Sequence, residues 1–298
     1  MTEADVVFER FPGFIQEYVY SHGWRELREV QLEAAKVILN TDKNLLLSSS
    51  TASGKTEAVF FPILSLLCEE EVKQEGVSVL YIAPLKSLIN DQFLRMQDLL
   101  DQSGIPVTHW HGDVGTSQKN KLLQHPSGIL QITPESLESM VMNRSGDLAR
   151  LFGALRFVVI DEVHTLISSD RGNQIRCLLS RISRMTGVYP RRIGLSATIG
   201  DPALCALWLE AGSGRQTAFP VLPREKLRLK LGLEHFYIQN PESLQSPLPV
   251  KDCGVTEENA GCQAKRTGGR ASADAGFEYI YDAVKNKKAL VFSNSREE

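Results

Sequence analysis

The sequence predicts an α/β fold, a parallel sheet with helices on both faces, and three observations carry that expectation. Short apolar runs of strand length, among them Leu45–Leu47, Val77–Ala83, Gly128–Thr133, Phe157–Ile160 and Arg192–Ser196, alternate with stretches of helical spacing. Such alternation needs crossover connections, so the strands run parallel and are covered on both sides. Polar clusters also fall at the C-terminal ends of these runs, where open α/β sheets bind ligands. Finally, Leu45 to Ala58 reads as strand, small-residue loop and helix, with Ser53-Gly54-Lys55-Thr56 at the joint.

In chain order, residues 1–25 read as an N-terminal helical segment with irregular aromatic anchors, Phe8, Phe11, Phe14, Tyr18 and Trp24. A main domain is expected over 26–222. It opens with an amphipathic helix begun near Glu29 and a turn at Thr41–Asn44, which delivers the chain to the Leu45 strand. Glu57 to Leu67 is helical, Val77–Ala83 is a strand ended by Pro84, Leu85 to Leu100 is a helix, and Pro106–Trp110 is a short strand. Pro134 starts a helix at its favoured first position. Phe157–Ile160 is a strand buried on both faces, a helix spans Gln174 to Thr186, and Asp201-Pro-Ala starts a capped helix after the Arg192–Ser196 strand. Arg181, Arg184, Arg191 and Arg192 read as a solvated helix face. Leu227 to Ile238 has strand character, and 223–273 as a whole reads as strand followed by a linker or insertion rich in Pro, Gly, Ser and charge. Residues 274–298 hold a helix and the strand Ala289–Phe292, which is the start of a further α/β unit.

The Leu45–Ala58 joint is built for phosphate. Small residues let successive backbone N–H groups face one anion, and the helix adds the positive end of its dipole. Lys55 can reach outer phosphates and the Thr56 hydroxyl can ligate Mg²⁺. Ser49 stands where the phosphate-loop pattern has its first glycine. Downstream, Asp161-Glu162 ends a buried strand. One carboxylate there can hold Mg²⁺ and the next can orient or deprotonate an attacking water.

Bulk properties narrow the classes. With 298 residues, 42% hydrophobic and 23% charged, this is ordinary globular composition. A net charge of −3 means any nucleic-acid site is a local patch rather than a global basic field. No apolar run reaches the roughly 20 residues that span a bilayer, so no membrane partner is expected, and the acidic N-terminus lacks a signal-peptide pattern. The five cysteines are scattered, and Cys68, Cys177 and Cys205 read as reduced residues in or near the core. The expected location is the cytoplasm. His109-Trp110-His111 reads as a strand end packing Trp110, without the partners a metal site needs.

Taken together, these segments resemble the first RecA-like motor domain of a superfamily 2 DExH-box helicase of the large-helicase-related or Ski-type branch. Seven motifs stand in the family's order. Gln31 matches the adenine-reading glutamine, with Phe14 as candidate upstream aromatic; Thr51-Ala52-Ser53-Gly54-Lys55-Thr56 matches motif I; and Ala83–Asp91 matches motif Ia. Gly112-Asp113 and Thr133-Pro134-Glu135-Ser136 match the motif Ib region, Asp161–His164 matches motif II, Ser196–Thr198 motif III, and Val291–Ser295 motif IV.

The resemblance implies a RecA-like phosphate-loop NTPase domain, ATP and Mg²⁺ as cofactors, and DNA or RNA in single-stranded form as partner. It implies that a second RecA-like domain, begun at 274–298, completes the motor. Catalysis would rest on Lys55, Asp161 and Glu162, nucleotide binding on Phe14, Gln31 and Thr51 to Thr56, and the metal on Thr56 and Asp161. His164, Ser196 and Thr198 would couple the ATP state to the nucleic-acid face. Pro84, Lys86, Gly112, Asp113, Thr133, Pro134 and Glu135 would contact nucleic acid. Two other classes fit parts of the pattern. A phosphate-loop transferase of the tRNA prenyltransferase type shares the loop but lacks Asp-Glu-Val-His and Ser-Ala-Thr. A nucleotide-gated nucleic-acid-binding module would bind without turnover.

Overall fold

The computed structural model describes residues 2–50, 53–70, 74–85, 93–222, 275–289 and 291. It divides into two compact units, Met1–Glu225 and Lys226–Glu298. In the second unit the described element is one helix, Ala275–Val284. The expected strand at Leu227–Ile238 and the linker after it lie outside the described residues; of the expected strand Ala289–Phe292, Ala289 and Val291 are described, without strand pairing, and the other two residues lie outside.

The first unit is the expected sheet. Its strands are β1 (Asn44–Ser48), β2 (Gly76–Ile82), β3 (Val107–Trp110), β4 (Ser127–Ile132), β5 (Phe157–Ile160), β6 (Arg191–Ser196) and β7 (Thr217–Ala218). They lie in the order β3-β4-β2-β5-β6-β1-β7, and every pairing is parallel. Between them run α1 (Glu3–Glu9), α2 (Gly13–Ser21), α3 (Glu29–Asn40), α4 (Lys55–Cys68), α5 (Gln97–Ser103), α6 (Thr116–Gln124), α7 (Pro134–Asn143), α8 (Leu148–Phe152), α9 (Asp170–Thr186) and α10 (Pro202–Glu210).

Because side chains alternate along a strand, each strand feeds two cores. Leu45, Leu47, Val79, Tyr81, Val159 and Leu195 pack with α1 to α5 on one face. Leu46, Leu80, Ile82, Val158 and Ile160 pack with α6 to α10 on the other. Leu45, Leu46 and Leu47 are all fully buried, which is why that strand reads as continuously apolar.

Register sets up the site. Ser48 lies opposite Ser196, and Ile82 opposite Ile160. The loops after β1, β2, β5 and β6 therefore leave the sheet along one edge.

Several expectations change. The helix expected over Leu85–Leu100 is, among the described residues, α5 at Gln97–Ser103, and α9 starts four residues earlier than Gln174, capped by the Ser169 hydroxyl. Arg191 and Arg192 are not on a solvated helix face; they open β6 and are 6% and 2% exposed. Each caps the C-terminal end of a helix, where unpaired carbonyls and the dipole favour a cation. Arg191 donates to the Val37 and Ile38 carbonyls at 2.9 Å each and to the Lys43 carbonyl. Arg192 donates to the carbonyls of Leu209 at 3.1 Å and Ala211 at 2.6 Å. Of the cysteines among the described residues, only Cys205 is buried; Cys68 and Cys177 are exposed, because the helical period carries them to the outer faces of α4 and α9. Among the described residues no helix is long and apolar enough to cross a membrane.

Candidate nucleotide site

The joint between β1 and α4 forms because β1 is anchored inside the sheet while Gly54 turns the chain. Gly54 has φ +85°, a left-handed conformation that glycine adopts without strain. The Ser49 N–H donates to the Ser196 carbonyl at 3.1 Å, tying the start of the loop to β6. Lys55 is the first residue of α4, and its ammonium turns back into the loop to donate to the carbonyls of Ser49 (2.5 Å) and Ser50 (2.9 Å). Burial lowers the Lys55 pKa, while the Glu162 and Asp161 carboxylates act in the opposite sense. Thr56 follows in the first turn of α4; Thr51 and Ala52 lie outside the described residues.

Gln31 is 1% exposed, in the first turn of α3. Its Oε1 accepts from the Arg28 N–H at 2.9 Å, while its Nε2 is buried with no hydrogen-bond partner. A Cβ at Gly54 would lie 3.3 Å from that Nε2, so the glutamine amide abuts the phosphate loop. An unpaired buried amide is costly and supplies a donor for a ligand beside the loop. Phe14, on α2, is half-buried and packs against the core on the α1–α5 face.

Across the edge, β5 delivers two carboxylates into different environments. Asp161 is 2% exposed. Its Oδ2 accepts from the Tyr81 hydroxyl at 2.6 Å and its Oδ1 from the Glu162 N–H at 2.9 Å. Burial, and then Asp161 itself, push the Tyr81 phenol well above its ordinary value, so it is a fixed neutral donor. Glu162 sits at φ 48°, ψ 43°, one of two non-glycine residues with positive φ among those described. That conformation costs roughly 1–2 kcal/mol for an L-residue, and such strain gathers where side-chain placement matters. Burial first, and Asp161 second, raise the Glu162 pKa, against the pull of His164 and Lys55.

His164 joins motif II to motif III. Its Nδ1 lies 2.8 Å from Ser196 Oγ and 3.3 Å from Glu162 Oε2. Since the Ser196 hydroxyl donates to the Thr198 carbonyl at 2.7 Å, the hydrogen bonding assigns the proton to Nδ1. Ser196 makes both contacts through its hydroxyl, whereas Thr198 contributes its carbonyl: it lies past the strand end with an exposed side chain.

Similarity shows the family: the family model described as DEAD/DEAH box helicase matches residues 28–205. The chain belongs to that family. Membership implies use of ATP. The chain is 30% identical over 283 residues to the ATP-dependent DNA helicase Hel308 of Pyrococcus abyssi, covering 95% of this chain and 33% of that protein. It is 29% identical to the ATP-dependent helicase YprA of Bacillus subtilis, covering 93% and 33%. Among solved structures it resembles the Mycobacterium smegmatis helicase Lhr bound to single-stranded DNA and AMP-PNP, with TM-score 0.62 and 27% identity over 72% of this chain and 28% of that one. The doubly covered parallel sheet is therefore RecA-like. The chain spans about a third of the length of the curated relatives it matches.

The helicase domain also positions the residues expected at nucleic acid. Gly112 and Asp113 are exposed just after β3, with Asp113 Oδ2 3.8 Å from His111 Nδ1. Thr133 is 5% exposed, and its hydroxyl caps α7 by accepting from the Ser136 N–H at 3.4 Å. Pro134 is buried at the first turn of α7. Lys86 lies outside the described residues. The sequence reading missed Arg171, which donates to the Pro84 carbonyl at 2.9 Å and pairs with Glu135 at 2.7 Å. Arg171 thus clips the loop after β2 to the start of α7. It missed Tyr81 as well. In sequence, Tyr81 showed only as a polar tip on a side chain within an apolar strand.

Proposed function

We propose that this chain is the ATP-binding part of a motor that couples ATP hydrolysis to movement along, or unwinding of, DNA or RNA in single-stranded form. The observation that carries the reading is the convergence, at one sheet edge, of the Lys55 ammonium, the Tyr81-held Asp161 carboxylate and the strained Glu162. Lys55 and the N–H groups of Thr51 to Thr56 would clamp the outer phosphates, and Gln31, with Phe14, would take the adenine. Thr56 and Asp161 would hold Mg²⁺; Asp161 fits because Tyr81 and the Glu162 N–H fix its carboxylate without neutralising it. Bound there, Mg²⁺ supplies charge neutralisation on the phosphates. Glu162 orients the attacking water and takes its proton, a role served by a carboxylate whose basicity is raised.

His164, Ser196 and Thr198 would carry the ATP state from motif II to motif III. Pro84, Lys86, Gly112, Asp113, Thr133, Pro134 and Glu135 would line the nucleic-acid path, with Arg171 keeping two of its segments in register. Residues 274–298 would begin a second RecA-like domain, with main-domain boundaries near 26 and 222. Retention of Lys55, Asp161 and Glu162 together favours turnover over a nucleotide-gated binding module.

The test is the ATPase rate of the full reading frame, with and without single-stranded DNA and RNA, beside Glu162→Gln. Stimulation by one polymer is expected, with a loss of about 10²–10⁴-fold in the variant. A low rate that no polymer changes would overturn the motor reading.

A further inference from the structure

A second polar feature lies away from the nucleotide edge. Crossover helices run antiparallel to the strands they connect, so the C-terminal halves of α9 and α10 lie toward the opposite pole of the sheet. Between them opens a groove of about 900 Å³, lined by Asn173, Arg176, Arg181, Arg184, Met185 and Gly212, among others. Among its lining residues there is no carboxylate and no lysine. Arg176 and Arg184 lie eight residues apart along the helix, a charged stretch about 12 Å long. Among the described residues no ion pair engages Arg176, Arg181 or Arg184. Arg181 instead rests its Nη1 on the Met142 sulfur at 3.1 Å.

A buried cation stands behind this stripe. Arg192 caps α10, its Nε has no partner, and its Nη2 lies 3.8 Å from the position a Cβ of Gly212 would take. Burial first, and the like charge of Arg176 second, lower the Arg192 pKa to about 10. Like charges gathered without a counter-charge, on a chain of net charge −3, create a local positive field that favours an anionic ligand. Helix-dipole compensation accounts for Arg184 in the last turn of α9. It does not account for Arg176 or Arg181, which lie further from that end.

The composition distinguishes between anionic partners. Grooves that track a phosphate backbone draw on lysine as well as arginine. Protein interfaces are enriched in arginine and methionine and depleted in lysine, and methionine adapts to varied apolar partners. Met185 is 41% exposed in the groove and Met142 is 61% exposed beneath Arg181. We propose that the α9–α10 groove docks an acidic peptide segment carrying apolar side chains, its carboxylates on the arginines and its apolar groups on Met185 and Met142.

Fluorescence anisotropy on the 298-residue chain tests this, with a labelled Glu/Leu peptide, a Glu/Gly peptide and a single-stranded oligonucleotide as probes. Arg181→Glu combined with Arg184→Glu is expected to weaken the Glu/Leu peptide about tenfold, which is about 1.4 kcal/mol, and to leave oligonucleotide and ATP binding unchanged. The Glu/Gly peptide should bind more weakly than Glu/Leu. Both arginines are exposed; circular dichroism checks the fold, and Arg181→Gln with Arg184→Gln repeats the test without charge reversal. The proposal is overturned if the Glu/Leu peptide does not bind, if neither variant weakens it, or if the oligonucleotide alone loses affinity, which would mark a phosphate-binding groove. Equal binding of Glu/Gly and Glu/Leu would overturn the apolar part. None of these outcomes bears on the nucleotide site, since ATP affinity is read separately.

Discussion

The two poles of the sheet bury charge in opposite ways. At the N-terminal ends of the strands, Arg191 and Arg192 hold their guanidinium groups against main-chain carbonyls that close α3 and α10. At the C-terminal ends, Asp161, Glu162 and Lys55 face one another. Their neighbours include a phenol and one N–H for Asp161, two loop carbonyls for Lys55, and a histidine beside Glu162. Charge committed to the main chain supports the fold. Charge held by side chains and loop atoms at the mouth of the sheet can act on a ligand. Variants at the two poles should therefore fail differently.

The largest separation should come from Arg191→Met. It removes donors to the Val37, Ile38 and Lys43 carbonyls, of which the Ile38 contact is buried and the other two part-buried. A loss of about 3 kcal/mol in unfolding free energy is expected, since hydrogen bonds to a charged group contribute roughly 1.5–3 kcal/mol each. Denaturant titration measures it, and ATP affinity of the folded fraction should be unchanged. If affinity fell while stability held, the division between poles would be wrong.

Tyr81→Phe should do the reverse, with a smaller effect. It removes the 2.6 Å hydrogen bond to Asp161 Oδ2 and keeps the ring in its core. The carboxylate then loses its orientation, and the Mg²⁺ concentration for half-maximal ATP binding should rise about tenfold, equivalent to roughly 1.4 kcal/mol. Stability should fall by less than in Arg191→Met, because one hydrogen bond to a charged group is lost rather than three. A tenfold rise with ATP alone, at saturating Mg²⁺, would show instead that Tyr81 shapes the nucleotide pocket.

What could be read from the residues followed the range of the interaction. The β1–α4 joint is local: Ser53, Gly54, Lys55 and Thr56 are neighbours, and their order states the turn and its chemistry. Asp161 was visible because β5 is apolar up to that residue. By contrast, Tyr81 meets Asp161 across 80 residues, and Arg171 meets Pro84 across 87. Nothing near either residue in the chain signals the partner. Arg191 and Arg192 were misassigned for a related reason. Beside Arg181 and Arg184 they resembled one basic surface, whereas Gly187 ends α9 in a left-handed turn and moves the pair into the sheet. The left-handed backbone of Glu162 had no sequence mark at all, because glycine or asparagine is the usual residue there.

That backbone, and the carboxylate it carries, offer the smallest and most discriminating test. Burial and Asp161 raise the folded-state pKa of Glu162 above its unfolded value. The folded protein then binds a proton the unfolded chain has released, so stability from this group is present below the unfolded pKa, near 4.3, and is lost as pH rises through the folded pKa. At neutral pH the ionised Glu162 thus works against folding. Glu162→Gln should raise the Tm at pH 7, with the gain shrinking as the pH approaches 4. Glu162→Gly should add a pH-independent gain of about 0.5 kcal/mol, since relief of the left-handed conformation, worth roughly 1–2 kcal/mol, outweighs the entropy glycine adds to the unfolded chain. Thermal unfolding of the three proteins across that pH range separates the two contributions. A Glu162→Gln protein with unchanged Tm at every pH would mean that Glu162 carries no electrostatic strain, and the contrast between the poles would then rest on coordination alone.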